Sequence, residues 1–323
     1  THFSELKETF QESHLGNFKG STLLGGDITK VSDDTLSQLN GKITFLFGGF
    51  PCQSFSHGGK KDPNDPRGQL YHQLVRATRL IEPTYVIGEN VKGLTTRTTP
   101  NGEKFLDVII KAFADIGYQC HYKVLKADDH GVPQSRERLI IVGKKGEWIP
   151  KWPEPLSTKK TLEDILQFDM EGAYEVPKEL LEEAGVPERA ILMGEGEPVG
   201  KPHPYVVDRS NVRGVVYKEK DYGTYALSFG KRKSPVHAEI VDPKGRSKTI
   251  ICTYGHQPRL FVALGVGGRR YLRCLTVDEL KEIQGFPRDY YLAGSKKDQV
   301  VQLGNAVPPP LIERVCRELL GTN

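Results

Sequence analysis

The stretch ITFLFGGFPC, residues 43–52, decides the fold of the first half of this chain. It begins as a short run rich in Ile, Phe and Leu and ends in two glycines, which is typical of a buried strand that runs into a turn. Two similar runs follow, TYVIGEN at 84–90 and RLIIVG at 138–143. Directly after the first run stands Cys52, in a chain that has only five cysteines. The stretch therefore predicts a buried strand with a thiol at its carboxyl end.

Helical patterns alternate with these predicted strands. Residues 70–81, LYHQLVRATRLI, are predicted as a helix, and EKFLDVIIKAFADIGY at 103–118 carries its apolar side chains on one helical face. Alternating strands and helices predict a parallel, doubly wound α/β sheet, whose ligands lie at the carboxyl ends of the strands. Cys52, Glu89 and Asn90 all fall at such ends.

The pattern of strands and helices changes near Trp148. The segment that begins there, WIPKWPEPLSTKK, opens a region punctuated by Pro and Gly, which is typical of a domain boundary. We predict a catalytic domain over residues 1–147 and a second, less regular domain over 148–288. A final segment, 289–323, is expected to return to the first domain.

One helix in the carboxyl-terminal third has clear boundaries in the sequence. LTVDELKEIQGFP, residues 275–287, opens with the capping-box residues Thr276 and Glu279 and closes with Gly285 and Pro287. The amphipathic segment 311–321 is a second predicted helix.

Composition excludes several classes of protein. With 37% hydrophobic and 27% charged residues among 323, the chain has the make-up of an ordinary globular protein. No apolar run approaches the roughly 18 residues that a membrane span needs, and the first twenty residues lack the apolar core of a signal peptide. The cysteines are odd in number and never spaced as CxxC, which disfavours disulfides and zinc knuckles. We expect a cytoplasmic protein without metal.

Charge is segregated along the chain. Residues 161–200 carry eleven acidic and two basic side chains, whereas residues 201–273 carry fifteen basic and five acidic ones. A basic block of this size suits a polyanion such as nucleic acid. A solvated basic face without a partner is the alternative interpretation.

Five short motifs stand in order along the chain: GFPCQSFS, GENV, QSRERL, LTVDELKEIQGFP and GNAVPPP. Together they resemble the DNA (cytosine-5)-methyltransferase family of restriction–modification systems, from GDIT at 26–29 almost to the carboxyl terminus. The resemblance implies a Rossmann-like fold that uses S-adenosylmethionine, with a smaller, irregular, β-rich target-recognition domain. It also implies prokaryotic or phage origin and methyl transfer to carbon 5 of a flipped-out cytosine in a specific sequence of double-stranded DNA.

The family's chemistry is covalent catalysis. A thiolate adds to carbon 6 of the ring, which makes carbon 5 nucleophilic enough to take a methyl group from a sulfonium. On the resemblance, Cys52 is the nucleophile, Glu89 holds ring nitrogen 3 and the exocyclic amine, and Asn90 orients the Pro-Cys loop. Arg136 and Arg138 match the two family arginines. Since they stand at i and i+2 of a predicted strand, both are expected to face the site.

The resemblance also implies contacts to the cofactor and to DNA. The residues that match family contacts to S-adenosylmethionine are Asp27, Ile28, Pro51, Leu70, Asn305 and Ala306. Candidate DNA contacts lie in the loop 53–68 and in two basic segments, FGKRKSP at 229–235 and GGRRYLR at 267–273. They are Ser56, His57, Lys60, Lys231, Arg232, Lys233, Arg269 and Arg270.

The chain departs from the family pattern at its beginning. The family's glycine-rich cofactor motif, a Phe-x-Gly-x-Gly strand and turn, belongs further upstream of GDIT than the 25 residues that precede GDIT here allow. GSTLLGG at 20–26 has glycines but follows no predicted strand. Two expectations stay open: an amino terminus that has been removed, or a second polypeptide that supplies the strand.

Three other functions are alternatives to this one. A zinc-dependent cytidine deaminase also acts on a flipped cytosine, but it needs Pro-Cys-x-x-Cys, and Phe55 stands where the second cysteine belongs. An RNA cytosine-5 methyltransferase of the same family stays open, disfavoured by the long basic second domain. So does a DNA-binding chain that cannot methylate without a partner.

Overall fold

The computed structural model of the protein describes residues 1–50, 70–99, 101–202, 212–220, 224–229, 236–255 and 260–322. The chain forms two compact units. Unit 1 comprises Thr1–Lys126, Glu137–Glu154 and Glu313–Asn323, and unit 2 comprises Ala127–Arg136 and Pro155–Ile312.

Fifteen strands are found in the described residues: β1 (His2–Ser4), β2 (Thr22–Gly25), β3 (Phe45–Gly49), β4 (Tyr85–Val91), β5 (Tyr118–Lys126), β6 (Gln134–Ser135), β7 (Glu137–Lys145), β8 (Tyr174–Val176), β9 (Ile191–Met193), β10 (Val212–Lys220), β11 (Thr224–Phe229), β12 (Val236–Val241), β13 (Ser247–Lys248), β14 (Leu260–Val266) and β15 (Arg269–Cys274). The α-helices are α1 (Glu8–Asn17), α2 (Asp33–Ser37), α3 (Tyr71–Ile81), α4 (Phe105–Ala114), α5 (Lys178–Glu183), α6 (Val277–Gln284), α7 (Lys296–Asn305) and α8 (Pro309–Leu320). None of these helices is long and apolar enough to cross a membrane.

Unit 1 is built on a mixed four-stranded sheet in the order β3-β4-β7-β5. All three strands predicted from apolar runs are present, but the sheet is not all parallel as predicted. β3 and β4 run parallel, whereas β7 runs antiparallel to both β4 and β5. Only residues 127–136 connect β5 to β7, which is too short for the crossover that a parallel pair needs. A second sheet of unit 1 pairs β1 with β2 in parallel.

The core of unit 1 lies between its four-stranded sheet and helices α3 and α4. Leu74 of α3 and Ile109 of α4 are buried with Val86 and Ile141 of the sheet. Gly48 of β3 allows this close packing, because a Cβ at that position would lie 2.6 Å from Leu74 Cδ1. The glycines that end the first predicted strand therefore serve packing as well as the turn.

Unit 2 contains a larger sheet than its sequence predicts. Seven strands follow the order β10-β11-β12-β14-β15-β8, with β9 also paired to β14. Helices α6 and α7 bury Leu280 and Leu303 in one core cluster with Leu264 and Tyr271 of the sheet. In its described residues unit 2 is thus rich in β-strands, as the resemblance implies.

Two of the predicted domain boundaries differ from those of the units. The chain leaves unit 1 at Glu154, beyond residue 147, because Trp148 is still bonded to β5: its amide and indole N–H groups donate to Gln119, at 2.8 and 2.7 Å. It returns to unit 1 only at Glu313, later than residue 289, because α7 belongs to the core of unit 2.

The capping box of α6 is confirmed. Thr276 Oγ1 accepts from the Glu279 amide, Glu279 Oε2 accepts from the Thr276 amide, and Gly285 ends the helix with a φ of 88°. The Glu279 carboxylate also makes a two-pronged, fully buried ion pair with Arg273, with N–O distances of 2.7 and 2.8 Å. One glutamate thus caps α6 and joins it to β15.

Gly304 offers a direct test of packing in unit 2. A Cβ at Gly304 would lie 2.3 Å from the backbone nitrogen of Cys252, so α7 approaches the 3-10 turn Cys252–Gly255 only because residue 304 is a glycine. We expect Gly304→Ala to lower the free energy of unfolding by about 1–3 kcal/mol in urea denaturation. The control is Gly20→Ala, where a Cβ meets nothing within 4 Å. Equal stability of the two variants would contradict this packing.

Candidate active site

The parallel pairing of β3 with β4 places Glu89 beside the end of β3. Gly49 and Glu89 are register partners, and a Cβ built on Gly49 would lie 3.5 Å from Glu89 Oε2. The chain leaves β3 at this point through Phe50 toward Pro51 and Cys52, both of which lie outside the described residues. The predicted carboxylate is therefore next to the segment that leads to the predicted nucleophile.

Glu89 and Arg138 form an ion pair at this end of the sheet. The distance from Arg138 Nε to Glu89 Oε1 is 2.7 Å, and the two side chains are only 12% and 18% exposed. The antiparallel pairing of β4 with β7 brings them together, since Val91 is opposite Arg138. A charge-assisted bond to a planar guanidinium fixes the orientation of the carboxylate.

Asn90 holds the chain just before Pro51. Its side chain is 2% exposed, its Nδ2 donates to the Phe50 carbonyl at 3.1 Å, and its Oδ1 accepts from the Val91 amide at 2.9 Å. Phe50 is itself buried and packs edge-on against Tyr71. The carbonyl and the ring of Phe50 therefore fix the point at which the chain leaves the sheet toward Pro51.

Asp27 lies just after β2, where the 3-10 turn Ile28–Lys30 begins. The Thr29 hydroxyl donates to Asp27 Oδ1 at 2.7 Å and the Thr29 amide at 3.0 Å, and these bonds hold the pKa of the Asp27 carboxyl below its ordinary value. Segment 20–26 follows α1 and itself contains β2, which pairs with β1 in parallel.

Glu5 is a candidate that the sequence reasoning missed. It follows β1 directly, and because β1 and β2 are parallel, Glu5 and Asp27 come after the carboxyl ends of neighbouring strands. Its Oε1 accepts from the Lys7 amide at 2.9 Å. The sequence signal for Glu5 is a carboxylate one residue beyond a short strand. The polar composition of the first twenty residues made that strand hard to predict.

Arg76 of α3 fixes the loop that follows Asp27. Its Nη1 donates to the Ile28 carbonyl at 3.2 Å, its Nε to Asp33 Oδ1 at 2.7 Å, and its Nη2 to the Val31 carbonyl. Leu70, another predicted cofactor contact, precedes the first residue of the same helix. One guanidinium thus ties the loop that carries Ile28 to α3.

Arg136 does not lie where the sequence places it. β6 ends at Ser135 and pairs with β13, whereas β7 begins at Glu137 and pairs with β4 and β5, so Arg136 and Arg138 do not share a strand. The period-2 argument that both face one site is therefore wrong. Arg136 is 1% exposed and donates to the carbonyls of Ile250, Gly304 and Ala306, all in unit 2.

The last two predicted cofactor contacts lie at the end of α7. Asn305 is the final residue of that helix and is exposed, and Ala306 follows it in an extended conformation. Gln134 is fully buried, and its Nε2 donates to Gln284 Oε1.

The basic segment 267–273 is largely neutralised within unit 2. Arg270 is 8% exposed and its Nη2 bonds both carboxylate oxygens of Glu188, at 2.9 and 3.1 Å. A buried, paired guanidinium is a poor phosphate contact, so the prediction for Arg270 is corrected. Arg269 is more exposed and lies 3.1 Å from Glu197. The acidic block at 161–200 thus supplies partners to the basic block.

The other predicted DNA contacts lie outside the described residues: Ser56, His57, Lys60, Lys231, Arg232 and Lys233. In the part of the chain that is described, no group of three or more His, Cys, Asp or Glu side chains could hold a metal ion.

Three of the described cysteines are poor nucleophiles. Burial raises the pKa of the Cys120 and Cys274 thiols to about 12, and burial together with Glu313 raises that of Cys316 to about 11. Only the thiolate attacks an electrophile, so a raised pKa removes reactivity near neutral pH.

Solved structures of methyltransferases share the fold of this chain. An Escherichia coli prophage-encoded DNA modification methyltransferase superposes with a TM-score of 0.67 at 19% identity, over 99% of this chain and 92% of that one. Dnmt2 of Spodoptera frugiperda superposes with a TM-score of 0.63 at 18% identity, over 99% and 91% of the two chains.

The sequence comparison is more specific. The profile of the C-5 cytosine-specific DNA methylase family matches residues 1–321, and this chain belongs to that family. It is 29% identical to the type II methyltransferase M.MspI of Moraxella sp. over 91% of this chain, and 30% identical to M1.HphI of Haemophilus parahaemolyticus over 99%. The chain spans 59% of the length of the Moraxella enzyme and 80% of the Haemophilus one.

The raised thiol pKa values predict a labelling pattern. At pH 8, a thiol of pKa about 12 is ionised to roughly one part in ten thousand, so Cys120 and Cys274 should stay unmodified by iodoacetamide in the native protein. Peptide mass mapping measures this, with urea-unfolded protein as the control in which every cysteine reacts. Rapid native labelling of Cys120 or Cys274 would contradict the burial described.

Proposed function

We propose that this chain methylates carbon 5 of cytosine in double-stranded DNA, with S-adenosylmethionine as methyl donor and Cys52 as nucleophile. The observation that carries the proposal is the joint placement of Glu89, Arg138 and Asn90 around the exit of β3 toward Cys52. Family membership supplies the reaction class. The raised pKa values of Cys120, Cys274 and Cys316 make those three thiols poor alternatives.

In the proposed reaction the Cys52 thiolate forms a bond to carbon 6 of a flipped-out cytosine. The electron pair of the 5,6 double bond then attacks the methyl carbon of the sulfonium, and S-adenosylhomocysteine leaves. Loss of the proton on carbon 5 to a base re-forms the double bond and expels the thiolate. Glu89 would hold ring nitrogen 3 and the exocyclic amine, and Arg138 would keep its carboxylate in position.

The donor sulfonium supplies an electrophilic methyl group, and the protein must hold its nucleoside. Carboxylates after strand ends suit this task, because they accept hydrogen bonds from ribose hydroxyls. Asp27 is partly exposed, and Glu5 follows the neighbouring parallel strand. We therefore add Glu5 to the proposed contacts, beside Asp27, Ile28 and Leu70 of unit 1. The resemblance supplies Pro51, Asn305 and Ala306.

A second candidate function is favoured by the edge of the sheet. Among the described residues β3 pairs with β4 alone, and Phe47 of β3 is 50% exposed. The glycine-rich strand expected from the resemblance would suit such an edge. A chain that binds DNA but needs a further polypeptide segment to bind the cofactor is thus the alternative. Titration calorimetry distinguishes the two, because the alternative predicts DNA binding without S-adenosylmethionine binding.

Substitution of the nucleophile tests the proposal. We expect Cys52→Ala to abolish transfer of tritiated methyl groups to unmethylated duplex DNA, because no other side chain replaces the thiolate. DNA binding should change by less than about threefold, since the thiol adds little contact area. The matched control is Cys316→Ala, which removes a half-buried thiol of raised pKa and should retain activity. Full activity of Cys52→Ala would reject the mechanism.

Salt dependence tests the proposed DNA surface in unit 2. We expect replacement of Lys231, Arg232 and Lys233 by Gln to reduce the slope of log K against log salt concentration. The expected loss is about 0.9 for each phosphate contact removed. Fluorescence anisotropy with labelled duplex DNA measures the slope.

The control carries the same loss of charge in unit 1. Lys42, Lys104 and Lys111 are exposed, so their replacement by Gln should leave the slope nearly unchanged. Equal slopes for wild type and the unit 2 variant would place the phosphate contacts elsewhere.

A further inference from the structure

The carboxyl end of α7 is capped by side chains from other elements. The last carbonyls of a helix have no partner within it. Here Arg136 Nη2 donates to the carbonyls of Gly304 and Ala306, at 3.0 and 2.8 Å. Gln284 Nε2 donates to the carbonyls of Leu303 and Ala306, at 2.7 and 2.9 Å. The helix end is thus held from two sides.

Arg136 is suited to this position by charge and shape. The carbonyl end of a helix is its negative pole, which favours a cation. The planar guanidinium reaches carbonyls in different directions, and its Nη1 also bonds the Ile250 carbonyl at 2.9 Å. The side chain is almost wholly buried, so these bonds compensate for its lost hydration.

Gln284 is fixed in turn by Gln134. Gln134 Nε2 donates to Gln284 Oε1, which leaves the Gln284 amide nitrogen directed at α7. Gln134 Oε1 accepts from the Ile250 amide at 3.0 Å, so Ile250 is bonded through both its N–H and its C=O. Gln134 and Gln284 are fully buried. The network is therefore closed and has little freedom to rearrange.

We propose that Gln284 and Arg136 are positioning residues for the cofactor. They fix the backbone at Asn305 and Ala306 without touching the cofactor, which separates Arg136 from the catalytic role that its motif implies. The inference rests on the proposed function, in which Asn305 and Ala306 contact S-adenosylmethionine. Asn305 is exposed at the end of the helix, whereas both capping side chains are buried behind it.

A matched pair of glutamines separates this role from general stability. Gln302 also lies on α7 and is 9% exposed, but its Nε2 donates to the Ala293 carbonyl at 2.9 Å, away from residues 304–306. Gln284→Ala and Gln302→Ala each remove a buried amide that bonds backbone carbonyls. Gln284→Ala alone should free the backbone at Leu303–Ala306. If a variant of Gln284 fails to fold, Arg136→Lys provides the second test. Lysine keeps the positive charge but lacks the planar guanidinium that bonds three carbonyls at once.

The experiment combines hydrogen–deuterium exchange with titration of S-adenosylmethionine and of duplex DNA, on the full chain. In Gln284→Ala we expect roughly tenfold faster exchange at residues 303–307 and a Kd for S-adenosylmethionine raised roughly tenfold. The Kd for DNA should stay within about twofold of wild type. Gln302→Ala should leave exchange at 303–307 and the cofactor Kd unchanged.

Each contrary result has a distinct meaning. Unchanged exchange at 303–307 in Gln284→Ala would overturn the capping role. Faster exchange with an unchanged cofactor Kd would overturn the positioning role, and equal losses of cofactor and DNA affinity would reduce it to general stability. A wild-type chain that binds DNA but not S-adenosylmethionine would contradict the proposed function itself, and the positioning role would fall with it.

Discussion

The register between β3 and β4 is the constraint on which the candidate site depends. Gly49 is opposite Glu89, so the chain leaves β3 toward Cys52 beside the Glu89 carboxylate. This carboxylate forms an ion pair with Arg138. A slip of one residue would turn Glu89 to the other face of the sheet. Gly48 lets the sheet pack closely against α3 at this point, because a Cβ there would lie 2.6 Å from Leu74 Cδ1. Packing of the core thus positions the chemistry.

Arginines of this chain serve structure more often than their motifs suggest. Arg136 caps a helix, Arg270 pairs with Glu188, and Arg273 is buried against Glu279. Removal of one member of a buried pair leaves the other without compensation, so such side chains are costly to replace whether or not they contact a ligand. Of the two arginines in QSRERL, Arg138 alone is paired with the candidate catalytic carboxylate.

Local signals in the sequence predicted the elements better than their arrangement. The apolar runs yielded β3, β4 and β7, and the capping box yielded α6 with its Gly285 end. The antiparallel direction of β7 was not predicted. It follows from the short, ten-residue connection between β5 and β7, whereas the periodicity of apolar residues carries no information on strand direction. In the site, Glu89 and Asn90 were predictable as polar residues at the carboxyl end of a buried strand. The role of Arg136 was not, because its partners at 250 and 304–306 are distant in sequence.

The most direct test of the account is to trap the covalent intermediate. In duplex DNA with 5-fluorocytosine at random positions, fluorine replaces the hydrogen that must leave carbon 5 as a proton. After methyl transfer the fluorine cannot leave, so the thiolate stays bonded to carbon 6. The chain is incubated with this DNA and S-adenosylmethionine, denatured, and digested for mass spectrometry. The account predicts an adduct on the peptide that contains Cys52, and none with Cys52→Ala. An adduct on another cysteine, or none from a chain that binds both DNA and S-adenosylmethionine, would contradict it.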